Sequence, residues 1–134
     1  MPQKKTLGII LLTQSRQGEC LLEAAQHFLG EPLQQVIDIP LLGNENCGEM
    51  TSRLRRTITA LRQTVDGVLI LCDLFGSTHA NIACEISTDD KKIACVSGLN
   101  LAMLMEAYTR RCQPLKNVAT KVAEMGRESV VQSS

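Results

Sequence analysis

Apolar residues along this chain fall into two alternating rhythms: short unbroken runs, and longer stripes at helical spacing. The first run, residues 7–12 (LGIILL), has no polar alternation, as expected of a strand covered on both faces. A polar break at 13–18 follows. Leu21, Leu22, Ala25, Phe28 and Leu29 then recur at helical spacing, and Gly30 with Pro32 predicts where that helix stops. Residues 35–39 predict a short strand ending at Pro40. Beyond the loop at 43–48, Met50, Leu54, Ile58, Leu61 and Val65 form a stripe. Arg53, Arg55, Arg56 and Arg62 lie off it, which predicts a helix with a solvated charged face.

Asp66 and Gly67 turn the chain into residues 68–72, a second run buried on both faces. A third helix is predicted over 79–87, with Thr78 as a candidate N-cap. Residues 92–96 give a fourth strand, ending at Ser97 and Gly98. Leu101, Leu104, Met105 and Tyr108 mark a helix halted near Pro114; Val118, Val122 and Met125 mark a last one, stopping before Gly126. Strand and helix alternate throughout, without repeat or linker. The prediction is one α/β domain over residues 1–134, its last few residues disordered. Its sheet is doubly wound and mostly parallel, with about four strands and helices on both faces.

Composition narrows the function. The length, 134 residues with 44% hydrophobic content, suffices for one self-supporting core. With 14 basic and 14 acidic side chains the formal charge is zero, so nothing marks a surface for nucleic acid or an anionic membrane. Aromatics make up only 2%, which argues against stacking platforms. Six cysteines, at positions 20, 47, 72, 84, 95 and 112, include no C-x-x-C pair and no ligand spacing with the two histidines. Reduced, structural thiols are expected, and neither a metal nor a cofactor is predicted. The first apolar run is too short for a signal peptide core or a membrane span, so a cytoplasmic protein without membrane insertion is expected.

In an open parallel sheet, ligands gather at the carboxyl ends of the strands near a switch in strand order. Residues 13–18, 73–81 and 97–100 should meet there. The first two segments are rich in hydroxyl, amide and acidic groups, and each precedes a helix whose free amides suit a phosphate. No G-x-G-x-x-G and no P-loop is present. A receiver-type phospho-aspartate at Asp73 would need acidic residues beside the first strand, where Thr13, Gln14 and Ser15 stand instead.

Residues 67–78 (GVLILCDLFGST) and 97–107 (SGLNLAMLMEA), with Leu29-Gly30-Glu31, residues 43–46 and Gly126-Arg127-Glu128, are in register on this βα pattern. Together they resemble the IIA component of the mannose-type phosphoenolpyruvate-dependent sugar phosphotransferase system over nearly the whole chain. The resemblance implies a phosphoryl relay: a phosphocarrier protein donates to a histidine, and a IIB component receives. It also implies a homodimer. Carried over by position, Asp73 would orient the histidine and Thr78 would contact the phosphoryl group. The histidine itself is absent. Gln14 stands where the family's acceptor belongs, between Thr13 and Ser15, and a carboxamide cannot hold a phosphoryl group stably.

Two readings stay open. The chain is a diverged homologue that acts as a regulatory or phosphate- or sugar-phosphate-binding module, or His79 serves as a relocated acceptor. His79 follows Thr78 at a helix start, where the dipole would stabilise an attached phosphate. Neutral imidazole is nucleophilic near pH 7. The candidate site therefore comprises Asp73 and His79 with Thr13, Gln14, Ser15, Ser77 and Thr78 around the phosphoryl group. His27, beside Phe28, reads as an ordinary helix residue.

Overall fold

The computed structural model describes residues 6–134. Strand and helix alternate through eight elements and a further helix closes the described residues: β1 (Leu7–Gln14), α1 (Gln17–Leu29), β2 (Val36–Leu41), α2 (Cys47–Leu61), β3 (Gly67–Cys72), α3 (Thr78–Asp89), β4 (Ile93–Ser97), α4 (Leu101–Thr109) and α5 (Leu115–Glu128). The four strands form one all-parallel sheet in the order β2-β1-β3-β4. This is the predicted doubly wound α/β architecture.

The unbroken apolar runs are explained by two cores. Successive residues of β1 and β3 point to opposite faces. Ile10, Leu12, Val68, Ile70 and Cys72 pack with α2 and α3 through Leu54, Ile58, Ala80, Ala83 and Ile86. On the other face Leu7, Ile9, Leu11, Leu69 and Leu71 pack with α1, α4 and α5 through Ala25, Leu104, Tyr108, Val118 and Val122. Neither face of residues 7–12 or 68–72 reaches water, and β1 turns polar only at its last two residues, the buried Thr13 and the exposed Gln14.

Several expectations need correction. β1 does not break at Thr13: Thr13 and Gln14 pair with Pro40 and Leu41, so the ladder outlasts the hydrophobicity. α2 ends at Leu61; Val65 lies beyond it in the turn yet is still buried in the core. Phe28 does not join the buried face of α1. It sits at the flank of the stripe, 66% exposed, edge-on to the His27 ring at 5.6 Å. α5 runs through Gly126 to Glu128, because that glycine is a packing device rather than a stop. A Cβ there would lie 2.7 Å from the Met103 Sδ. The cap of α3 is Ser77, not Thr78: the Ser77 hydroxyl accepts from the Ala80 amide. Cys72 and Cys95 meet as free thiols on neighbouring strands, their sulfurs 3.8 Å apart, while Cys20, Cys47, Cys84 and Cys112 are exposed.

Candidate functional site

β1 winds off to β2 on one side, and the chain then crosses back to place β3 on the other. The switch in strand order therefore lies between the carboxyl ends of β1 and β3. Gln14 ends β1 and Asp73 directly follows β3, so strand pairing alone brings residues 59 positions apart into contact.

Asp73 is the hub. Its Oδ2 accepts the Gln14 backbone N–H at 2.9 Å and the Gln17 carboxamide Nε2 at 2.7 Å. Its Oδ1 accepts the Leu74 amide at 3.0 Å and meets the His79 Nε2 at 2.6 Å. Burial by itself would push this carboxyl up. The Gln14 amide, His79 and Gln17 outweigh that and hold it below its ordinary value. Asp73 is therefore an anion with every lone pair engaged.

A depressed folded pKa contributes stability that is complete above the unfolded value, about 3.9 for aspartate, and is lost as pH falls through the folded one. Asp73→Asn should accordingly lower the melting temperature at neutral pH and flatten its decline on the acid side of pH 4. Thermal melts at pH 7 and at pH 3 check this; a gap between variant and parent that persists undiminished at pH 3 would refute it.

His79 stands in the first turn of α3, where side chains lean back toward the helix start. That lean carries its ring over the β3–α3 loop to Asp73. The two side chains are 8% and 11% exposed. The Ser77 hydroxyl donates to the Leu74 carbonyl at 2.8 Å, so its contact with the His79 Nε2, at 3.3 Å, is that of an acceptor. The other ring nitrogen, Nδ1, has no hydrogen-bond partner among the described residues. It is also not among the buried unpartnered atoms, of which the described residues show one, the Asp38 Oδ1.

The remaining sequence candidates surround this pair differently. Gln14 contributes its backbone amide to Asp73. Its exposed side chain extends instead toward Gly43, 3.5 Å from where a Cβ there would stand. Thr13 is fully buried, and its hydroxyl accepts the Gly18 amide at 3.0 Å, which ties the start of α1 to the end of β1. Ser15 is exposed at a positive φ of 59° and donates its amide to the Leu41 carbonyl. Thr78 is exposed at the first position of α3. Gln17 was not foreseen. Its carboxamide also donates to the Gln14 carbonyl at 3.0 Å, so it clamps β1 and Asp73 together; nothing in its sequence neighbourhood signals this. The segment at 97–100 joins the same edge through the Gly98 and Leu99 amides, which both donate to the Cys72 carbonyl. Among the described residues no group of three or more histidine, cysteine or acidic side chains could hold a metal ion.

The strand switch of this parallel sheet thus presents a histidine–carboxylate pair between the starts of α1 and α3, at the edge where open α/β sheets gather ligands. The EIIA-man family, described as the PTS system fructose IIA component, matches residues 8–124, and the chain belongs to it. It is 29% identical over 127 residues to the PTS system mannose-specific EIIAB component of Escherichia coli, covering 93% of this chain and 39% of that protein. The chain thus spans about two fifths of the length of that curated relative. The PTS system fructose-specific EIIA component of Bacillus subtilis is 24% identical over 110 residues, covering 81% of this chain and 74% of that one. Among solved structures, the phosphotransferase system component EIIA from Streptococcus agalactiae superposes with a TM-score of 0.82 at 25% identity, over 94% and 96% of the two chains. The PTS IIA protein associated with the fucose utilization operon of Streptococcus pneumoniae shares the fold at a TM-score of 0.85 and 20% identity, over 98% and 96%.

Proposed function

We propose that this IIA-type domain relays a phosphoryl group from a phosphocarrier protein to a IIB component, with His79 as the acceptor and Asp73 as the residue that orients it. Family membership supports the relay. The single observation that carries the assignment is the 2.6 Å contact between His79 and Asp73 at the strand switch, in a chain whose β1 ends in glutamine. Asp73 holds the ring in one orientation, and the amides of Thr78 and His79 at the start of α3, without acceptors among the described residues, are available to the transferred group. In this reading Ser77 and Thr78 line the phosphoryl group from the α3 side, and Thr13, Gln14 and Ser15 close the β1 side. The test is transfer itself: label from phosphoenolpyruvate through the general carrier proteins should appear in the chain as an acid-labile, base-stable adduct. Absence of label under conditions that load an active IIA protein defeats the proposal.

A second reading is favoured by one observation. Gln14 presents an exposed carboxamide, which cannot carry the group, and Asp73 is already saturated by four donors. A silent homologue that binds a IIB-like or regulatory partner fits these facts, and it predicts a complex without label.

Partner recognition has its own candidate surface. Leu42, Leu74 and Phe75 follow the carboxyl ends of β2 and β3, and are 71%, 65% and 85% exposed. Large apolar side chains left bare around a site suit protein docking. Phe75→Ser should leave stability within about 0.5 kcal/mol, as for other surface changes. It should weaken transfer to or from the protein partner by about tenfold or more, as loss of an interface anchor does. Titration of transfer rate against partner concentration measures this; an unchanged concentration dependence removes Phe75 from the interface. Among the described residues no helix is long and apolar enough to cross a membrane; a cytoplasmic site of action is part of the same proposal, resting on the relay partners. A homodimer is part of the same proposal. It is supported by the edge strand β4, which pairs with β3 on one side only.

A further inference from the structure

We infer that the phosphoryl group is carried on Nδ1 of His79, with Nε2 remaining protonated and bound to Asp73. This rests on the relay proposed above and fixes its chemistry to one atom. The argument begins with Asp73. Its carboxylate accepts from the Gln14 amide, the Gln17 carboxamide and the Leu74 amide, and is held ionised. An ionised carboxylate can only accept. The 2.6 Å contact to His79 must therefore be an Nε2–H donation, and the nearby Ser77 oxygen, whose proton goes to the Leu74 carbonyl, reinforces it as a second acceptor.

A neutral imidazole carries one N–H, so with the proton on Nε2 the lone pair is on Nδ1. The side chain is more than nine-tenths buried, yet Nδ1 has no partner among the described residues and is not sealed from solvent. A polar atom in such a place ordinarily finds a partner. Its surroundings fit a phosphoryl group as that partner. Nδ1 is the ring nitrogen nearer the backbone, and the backbone amides of Thr78 and His79 have no acceptors among the described residues. A group on Nδ1 would thus lie beside the positive end of α3. The loop that joins Asp73 to His79 is open to solvent: Gly76, at a φ of 86°, has nothing within 4 Å of where a Cβ would stand, and Phe75 beside it is exposed.

The transfer balances without a further reactant. The Nδ1 lone pair forms the new N–P bond while the donor's own bond to phosphorus breaks, and that electron pair leaves with the donor group. The imidazole, now substituted on Nδ1 and protonated on Nε2, carries positive charge against the Asp73 carboxylate. That pairing is what stabilises the adduct.

The test uses the full chain labelled with 15N in its histidines. One sample is phosphorylated through the general carrier proteins and phosphoenolpyruvate, and another by phosphoramidate, a small nitrogen–phosphorus donor that needs no protein. Long-range proton–nitrogen spectra and the one-bond coupling of phosphorus to nitrogen then identify the substituted atom. Coupling at Nδ1 of His79 in the carrier-loaded sample is the expected result, with Nε2 retaining its proton. Coupling at Nε2, or label on any other residue, overturns the assignment and leaves the relay standing. Label at Nδ1 from phosphoramidate but none from the carrier proteins upholds the atom and defeats the relay, whereas no label from either source defeats both. Asp73→Asn supplies a second reading: it should slow loading by about 100-fold or more, in line with losing the group that fixes a catalytic histidine's tautomer. Loading at the parent rate would overturn the inference.

Discussion

His79→Ala is expected to reduce phosphoryl label from stoichiometric to background, a loss of more than about 100-fold, the scale on which removal of a nucleophile acts. Neither Gln14 nor His27 can substitute. The Gln14 carboxamide has its lone pair delocalised into the carbonyl, and its side chain leans toward Gly43 and away from Asp73. His27 lies in the last turn of α1, at the opposite end of that helix from the site, exposed and stacked edge-on to Phe28. His27→Ala should accordingly load as the parent does. Stability should suffer only modestly in His79→Ala, by about 1–3 kcal/mol, since the cost is one lost partner to a carboxylate that keeps three others. Full label in His79→Ala, measured as base-stable phosphate per chain, would place the acceptor elsewhere and leave the histidine–aspartate pair a structural feature.

The largest stability effect is expected at the sheet rather than the site. Leu71 in β3 is fully buried and packs into the core shared with α1, α4 and α5. Leu71→Ala should lower stability by about 2–5 kcal/mol, combining lost transfer energy with an unfilled cavity. For a domain of this size that corresponds to a melting temperature lower by about 10 °C. The strand pairs with β1 on one side and β4 on the other, so the surroundings have little freedom to close over the void. Denaturant unfolding with unchanged slope and a lower midpoint is the expected signature. A midpoint within about 0.5 kcal/mol of the parent would mean the core is far more plastic than its packing suggests.

The fold was legible because its strongest signals are local. Residues 7–12 and 68–72 are apolar without alternation, and only a strand covered on both faces needs that. What misled were residues whose role is set by a distant neighbour. Gly126 carries the signature of a helix end, yet Met103 on α4 needs the space its missing side chain leaves. Thr13 and Gln14 look like the start of a loop, but β2 continues alongside and keeps them in the ladder. Phe28 has helical spacing with Leu21 and Ala25, but the apolar stripe is already wide enough without it.

The site divides in the same way. Asp73 could be singled out because it follows a central strand, where parallel sheets place their chemistry, and because the family resemblance gives that position an orienting aspartate; His79 could be because it follows Thr78 at a helix start. That the two touch follows from the loop between them and is not encoded in spacing alone. Gln17 could not be found from sequence, because a glutamine in the first turn of a helix is unremarkable until strand pairing sets Asp73 beside it.

The strand order has a consequence for biogenesis. β1, the earliest strand to be synthesised, occupies an interior lane of the sheet and is flanked by β2 and later β3. While the ribosome is still producing residues 42–66, β1 can dock with β2 but leaves its other edge, a row of backbone amides and carbonyls set among aliphatic side chains, unpaired. Arrival of β3 caps that flank and, in the same event, delivers Asp73 to the end of β1. Assembly of the edge that carries Asp73 and removal of the aggregation hazard are therefore one step in the life of the nascent chain.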